Sequence, residues 1–304
     1  MNYAKPPLSP EQHIELLKER GLIISDEDRA LRYLENISYF RLSGYMFYHQ
    51  KRNGTHEFLS GVTFDDIINE YNFDKDLRFL ILEYIERIEV ALRTQLSNKY
   101  SVNHGFFWYN QSRLYTDLRV YNQINDYITE YFIDPQEVFL RSFKSKYTLE
   151  SLPPSNMAFE ILTFGSISKL FQGLKNDSEK QNISRHFKLP YTILASWFLF
   201  LTHIRNICAH HSRLWNKRLT ANQFIIPRKS SLKFHGVLPQ DFNYTVYGTI
   251  AIIQRLLNPI NETNKFIEKL ISLTDKYNSI NTSLMGFPGN WKEEPAWKQT
   301  SITE

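Results

Sequence analysis

The sequence of 304 residues contains a single cysteine, Cys208. One cysteine cannot form an intramolecular disulfide, so the fold has to rest on its hydrophobic core, and a reducing compartment is favoured. The start of the chain, from Met1 to Pro7, also lacks the apolar core of a secretion signal. We therefore expect a folded cytoplasmic protein.

Long hydrophobic runs are absent as well. The longest apolar stretch, Ile193 to Leu201, is interrupted by Ser196 and followed directly by Thr202 and His203. It is too short to span a bilayer, which predicts a core helix and no membrane partner. The apolar fraction of 42% is enough to fill the core of one large domain or two small ones.

Acidic residues are missing from positions 180–240, so all 32 Asp and Glu lie elsewhere and the overall charge of +4 hides an uneven distribution. Such asymmetry indicates a polyanionic partner, and the many aromatic residues favour RNA over a membrane surface. The alternative is a set of solvated surface cations. The acid-free window contains ten cations: Lys180, Arg185, Lys188, Arg205, Arg213, Lys217, Arg218, Arg228, Lys229 and Lys233.

Helical periodicity recurs through most of the chain, which predicts an all-α fold. Ser9-Pro10 is typical of a helix start, and Thr63 with Asp66 begins a long pattern that forms one helix or two joined near Phe73-Asp74. Further helical periods cover a segment after Ser25 and residues 114–133, 155–175, 190–213 and 243–272.

The strongest signal for β-structure is Asn53-Gly54, which predicts a small two-stranded hairpin over residues 46–60. We divide the chain into an N-terminal helical segment with this hairpin (1–60), a helical domain (61–275) and a loosely ordered tail (276–304).

The segment from Arg205 to Asn216 concentrates cations, imidazoles and amides directly after the most apolar run. These residues fit metal-independent cleavage of a phosphodiester, because arginine can neutralise developing charge and histidine can move protons near neutral pH. Arg205 and His210 are the principal candidates, Asn206 is a further donor, and His211 is the rival catalytic imidazole.

Arg205 and His210 lie five residues apart, or about 140° around an ideal helix. They can converge on one phosphate if the helix ends or distorts near Ala209, or if a second copy of the helix crosses beside the first. A symmetric dimer would place both pairs in one cleft. The alternative is that Arg205 caps acidic groups in the core and that His210 and His211 are structural donors.

A metal site is the other possible use of His203, Cys208, His210 and His211. His203 and His210 are about 10 Å apart along a helix, and no acidic residue is near in sequence, so we expect neither a metal nor another cofactor. A second cluster, from Tyr39 to Tyr48, mixes aromatics with Arg41 and suits RNA stacking or ordinary packing.

The segment Arg205-Asn206-x-x-Ala209-His210-His211-x-Arg213-Leu214-Trp215-Asn216 resembles the signature of the Abi-like abortive infection proteins, the AbiD/AbiF group of the HEPN superfamily. Three further segments agree, and the resemblance covers roughly residues 5–275. They are Ile37-Ser38-Tyr39-Phe40-Arg41-Leu42-Ser43-Gly44-Tyr45, Arg87-Ile88-Glu89-x-x-Leu92-Arg93 and Phe164-Gly165-x-x-Ser168.

The resemblance implies a HEPN-type helical bundle, commonly dimeric, that acts as a metal-independent endoribonuclease in bacterial defence against phage and can be restrained by a small noncoding RNA. Its Arg-x4–6-His element corresponds to Arg205 with His210 or His211. Some HEPN toxins are modified on a tyrosine two residues after the histidine, where this chain has Ser212.

We therefore predict an endoribonuclease toxin that binds RNA as substrate and as antitoxin and forms a homodimer. The competing hypotheses are a non-catalytic RNA-binding or regulatory module and a protein-interaction scaffold. The predicted RNA-binding residues are Arg213, Lys217, Arg218, Arg228, Lys229, Tyr39 and Arg41.

Overall fold

The computed structural model describes residues 6–227, residue 238 and residues 241–297; Arg228, Lys229 and Lys233 of the acid-free window lie outside these ranges. The architecture is all-α, as predicted. The described residues form twelve α-helices, α1 to α12: Pro10–Glu19, Glu27–Ile37, Tyr39–Met46, Phe64–His104, Leu118–Ile133, Val138–Lys146, Ser155–Ala158, Phe164–Gly173, Ser178–His186, Tyr191–Ala209, Val246–Leu257 and Phe266–Lys276.

The predicted helix starts are confirmed by side-chain caps. Ser9 accepts a hydrogen bond from the backbone N–H of Gln12 at the start of α1, with Pro10 in the first turn. Thr63 and Asp66 form a reciprocal capping box at the start of α4. These bonds satisfy N–H groups that have no partner inside the helix, so the boundaries follow from local sequence.

Helix α4 is one continuous helix of 41 residues, which decides between the one-helix and two-helix alternatives. It contains neither glycine nor proline, and it ends at Gly105, whose φ of 78° stops the helix. Helices α3, α7, α8, α9, α10, α11 and α12 all pack against it. It is therefore the central element of the core.

The predicted hairpin over residues 46–60 is wrong: the part of the chain that the structure describes contains no strand. Phe47–His49 forms a 3₁₀ turn instead, and a single antiparallel bridge joins Gln50 to Phe58. Gly54 takes a left-handed conformation (φ 82°) but Asn53 does not, so the two-residue hairpin turn that Asn-Gly favours does not form. The N–H of Phe58 bonds to the carbonyl of Arg20, 2.8 Å away, so this segment is fastened to the end of α1.

Several predicted helical periods are subdivided. The period at 243–272 becomes α11 and α12, because Pro259 follows Asn258 and cannot continue a helix. The period at 155–175 becomes α7 and α8, and the period at 190–213 becomes the shorter α10. Helices α3, α6 and α9 have no counterpart in the sequence-based prediction.

Helix α10 is long and apolar enough to be a candidate membrane span, but more than half of it is buried in the protein. It packs against α4 and α8 and contributes Trp197, Phe198 and Leu201 to the core. The prediction of a core helix is therefore confirmed. One hydrophobic cluster joins residues from Ile14 in α1 to Trp291 near the end of the described chain.

Candidate functional site at the end of helix α10

The motif begins where α10 ends. The last helical residue is Ala209, and His210 caps the helix. The N–H of His211 bonds to the carbonyl of Cys208 (3.1 Å) and the N–H of Ser212 to that of Ile207 (3.0 Å), a Schellman ending. His211 takes the left-handed position (φ 56°) that glycine usually occupies. The two imidazoles thus lie at and just beyond the helix end, and the end of the helix at Ala209 is one of the conditions under which Arg205 and His210 could converge.

The polar side chains of this turn face solvent. Asn206, His210 and His211 are exposed and Arg205 is half-buried, whereas Ile207 and Cys208 between them are buried. Among the described residues, the guanidinium of Arg205 donates only a long hydrogen bond of 3.4 Å, to the side-chain oxygen of Asn206. Within the described residues, no hydrogen bond joins Arg205 to either histidine. The turn is therefore open to a ligand.

A carboxylate lies close to Arg205. Burial raises the pKa of Glu89, and the nearby positive charges of Arg93 and Arg205 oppose that rise. Glu89 is ion-paired with Arg93, whose guanidinium also donates to the carbonyl of Leu162. Glu89 therefore interacts with the positive charges of both Arg93 and Arg205.

A buried carboxylate holds the segment that follows the histidines. Asp74 in α4 accepts the N–H of Leu214 (3.0 Å) and of Trp215 (2.5 Å), accepts the hydroxyl of Tyr45 (2.6 Å) and is ion-paired with Arg78. Burial raises the pKa of Asp74, and the charge of Arg78 and these hydrogen bonds oppose the rise. The anchor fixes the turn against α4.

Sequence reasoning missed Asp74 as a functional residue. The available signal was an acidic side chain inside the apolar stripe of α4, directly after Phe73 and three residues before Leu77. A carboxylate at a buried position needs several donors, and the chain supplies them only after folding.

Helix α3 completes the site from the other side. Arg41 donates a hydrogen bond of 2.6 Å to the carbonyl oxygen of His211. Arg213 lies against Gly44, where a Cβ atom would be 3.6 Å from its Nε, and donates to the carbonyl of Trp215 (2.9 Å). The structure therefore joins two motifs that are 170 residues apart in the chain.

Other predicted RNA-binding residues have partners of their own. Tyr39 stacks on His13 with ring centroids 4.2 Å apart, and its hydroxyl accepts a bond from Arg20. Arg218 is ion-paired with Asp241 at 2.6 Å and lies over the ring of Tyr244. Their roles in RNA binding, like those of Arg213 and Arg41, stay predictions. Arg228 and Lys229 lie outside the described residues.

Lys217 is half-buried close to His203. Burial and the charge of Lys217 lower the pKa of this histidine. Cys208 is buried, and desolvation raises the pKa of its thiol to about 12, which suits a core residue better than a nucleophile. Among the described residues, no group of three or more His, Cys, Asp or Glu side chains is placed to hold a metal ion.

Fold and site together define an all-α protein that presents an Arg–His motif on an exposed turn at the end of a buried helix. A family model described as Abi-like protein matches residues 32–216, more than half of the chain, and the chain belongs to this family. Comparisons with curated proteins and with solved structures gave no match. The matched region contains both α3 and the Arg–His motif, and membership in the family indicates a role in abortive infection.

Proposed function

We propose that this protein is a metal-independent endoribonuclease toxin of a bacterial abortive infection system, of the HEPN type, with Arg205 and His210 at the cleavage site. The observation that carries the proposal is the exposed turn at the end of α10. There, neither imidazole ring makes a hydrogen bond within the described residues, and the Arg205 guanidinium has only one long bond, to Asn206.

The reaction that suits these groups is transesterification by the RNA 2′-hydroxyl. The 2′ oxygen attacks phosphorus, the bond from phosphorus to the 5′ oxygen breaks, and the products are a 2′,3′-cyclic phosphate and a 5′-hydroxyl. His210 exchanges protons with the attacking or leaving oxygen, and Arg205 binds the non-bridging oxygens through its planar fork. Asn206 donates to the phosphate, and His211 is the alternative imidazole.

RNA is the proposed partner in two roles, as substrate and as a small noncoding RNA that restrains the toxin. The sequence window from residue 180 to residue 240 supports this, because its ten cations and lack of acidic residues give it an excess of positive charge that attracts a polyanion. We also propose a homodimer in the cytoplasm, since a second copy of α10 would bring another Arg205 and His210 to the same phosphate.

The test is cleavage of total RNA by the purified protein in EDTA. We expect fragments that end in 2′,3′-cyclic phosphate, and a loss of at least about 100-fold in rate for Arg205→Ala and for His210→Ala. Comparison of His210→Ala with His211→Ala identifies the catalytic imidazole. The control is His56→Ala, which removes an exposed histidine far from the turn in sequence and should leave cleavage unchanged.

A non-catalytic RNA-binding or regulatory module is the second candidate. It is favoured by the absence of any described hydrogen bond between Arg205 and the two histidines, together with the basic window. RNA binding without cleavage by the wild type, unaffected by Arg205→Ala and His210→Ala, would support it. A protein-interaction scaffold predicts that no RNA copurifies.

A further inference from the structure

Phe40 in helix α3 and Phe47, the first residue of the 3₁₀ turn that follows this helix, expose their rings beside the candidate site. Phe40 is 87% exposed and Phe47 is 58% exposed, while Leu42, Tyr45 and Met46 on the opposite side are buried. Large apolar side chains gain free energy when they leave water, so exposed rings next to a site indicate a surface that a ligand covers.

The two rings lie on the face of α3 that meets the motif. Gly44 and Phe47 lie four and seven residues after Phe40, which places the three residues within about 60° of one another if the helical turn continues to Phe47. Gly44, between them, is the residue against which Arg213 packs. The neighbouring Arg41 is bonded to the carbonyl of His211. The exposed aromatic face therefore runs alongside the turn that carries His210 and His211.

The charges around this face select the class of ligand. Arg41 and Arg213 lie beside it, Arg41 is bonded to the backbone of the histidine turn, and residues 180–240 contribute no carboxylate. The positive charge of Arg213 acts on the carboxylate of Glu70, and this carboxylate is hydrogen-bonded to His49 (2.8 Å). Flat apolar rings bordered by cations fit single-stranded nucleic acid, because bases stack on aromatic side chains while phosphates meet the cations.

We propose that Phe40 and Phe47 form a stacking surface for unpaired bases of the RNA whose scissile phosphate lies at Arg205 and His210. The two residues are about 10 Å apart along the helix axis, so each ring takes a separate base. Tyr39, the aromatic residue that the sequence favours for this role, is stacked on His13 instead. The surface selects single-stranded over duplex RNA. This inference rests on the proposed function for the position of the phosphate.

The experiment measures binding separately from cleavage. The probe is a single-stranded 2′-O-methyl oligouridine, which keeps the bases and phosphates but lacks the nucleophile. We expect Phe40→Ala and Phe47→Ala each to weaken its binding roughly 5- to 100-fold in fluorescence anisotropy, and Phe40→Trp to restore it. The matched control is Phe106→Ala, which removes a ring of similar exposure (60%) beyond the far end of α4.

Duplex RNA of the same length should bind equally to the wild type and to Phe40→Ala. Unchanged oligouridine binding by Phe40→Ala, or no binding by the wild type, overturns the stacking proposal. The proposal is also overturned if light scattering shows that Phe40→Ala changes the molar mass of the protein and this change accounts for the whole loss of binding. The aromatic face would then contact a second copy of the chain. If the wild-type protein binds the probe through Phe40 but cleaves no RNA, the stacking proposal holds and the nuclease proposal fails.

Discussion

At the scale of single residues, Asp74 connects stability to the candidate site. A fully buried carboxylate is costly unless it is paired and hydrogen-bonded, and Asp74 has the guanidinium of Arg78, two backbone N–H groups and the hydroxyl of Tyr45. Two of these donors belong to Leu214 and Trp215, directly after the histidine turn. The hydrogen bonds that compensate the burial of the Asp74 carboxylate therefore also position the candidate catalytic residues.

Asp74→Asn tests this role. The substitution leaves Arg78 without a counter-charge in the core, so we expect the free energy of unfolding to fall by about 3 kcal/mol, measured by urea denaturation. The control is Asp65→Asn, which breaks the exposed ion pair with Arg29 and should cost no more than about 1 kcal/mol. Equal midpoints for the two variants would show that Asp74 does not anchor the turn.

At the scale of secondary-structure elements, cations of the acid-free window also serve the fold. Lys180 in the first turn of α9 is buried and donates to the carbonyls of Gln172 and Leu174, at and just after the end of α8. A cation at that position satisfies carbonyls that have no partner inside the helix. Lys180 therefore joins α8 to α9, and its charge is not available to RNA.

The pH dependence of stability follows from that burial. Desolvation lowers the pKa of Lys180 to about 8, whereas the unfolded chain keeps the ordinary value of 10.5. Between these two values the unfolded state binds more protons, so the contribution of Lys180 to the unfolding free energy rises with pH. We expect Lys180→Met to remove this rise.

The measurement is urea unfolding at pH 7.5, 8.5 and 9.5. The exposed Lys175 provides the matched control, because Lys175→Met removes a lysine that stays in water and should keep the wild-type slope. A Lys180→Met protein whose stability changes with pH as steeply as that of the wild type would contradict the assignment.

At the scale of the whole molecule, α4 is the element on which the rest of the protein is built. The hydrophobic cluster includes Leu17 of α1, Leu92 of α4 and Trp291 in the C-terminal segment, so residues from all three sequence-based segments share it. The division at residues 60 and 275 itself stays a prediction, because a shared core does not show whether the segments fold separately.

Thermal unfolding distinguishes these cases. We expect one cooperative transition, with the same midpoint for helix content by circular dichroism and for tryptophan fluorescence, because the buried Trp108, Trp197, Trp215 and Trp291 report on separate parts of one core. Two transitions, with the fluorescence change confined to one of them, would mean that a segment folds as an independent domain.

Predictions from sequence succeeded where short-range interactions decide the structure. Ser9 and Thr63 cap helices because their side chains reach N–H groups three residues away, and the apolar run before Arg205 is a buried helix because of its composition. The hairpin failed because Asn53 does not take the left-handed conformation that its two-residue turn needs. The arms meet at the Gln50–Phe58 bridge, and the N–H of Phe58 bonds outside the hairpin, to the carbonyl of Arg20 at the end of α1.

The sequence by itself determined the helical class, the main helix starts, and the placement of Arg205 and two histidines at the end of an apolar helix. Only the tertiary structure decided that Asp74 would hold that end, that Arg41 would reach the carbonyl of His211, and that Phe40 rather than Tyr39 would face outward. The physical reason is that these contacts join residues far apart in the chain. They arise when α3 and the segment after α10 pack against the same helix, α4, and local periodicity carries no information about such packing.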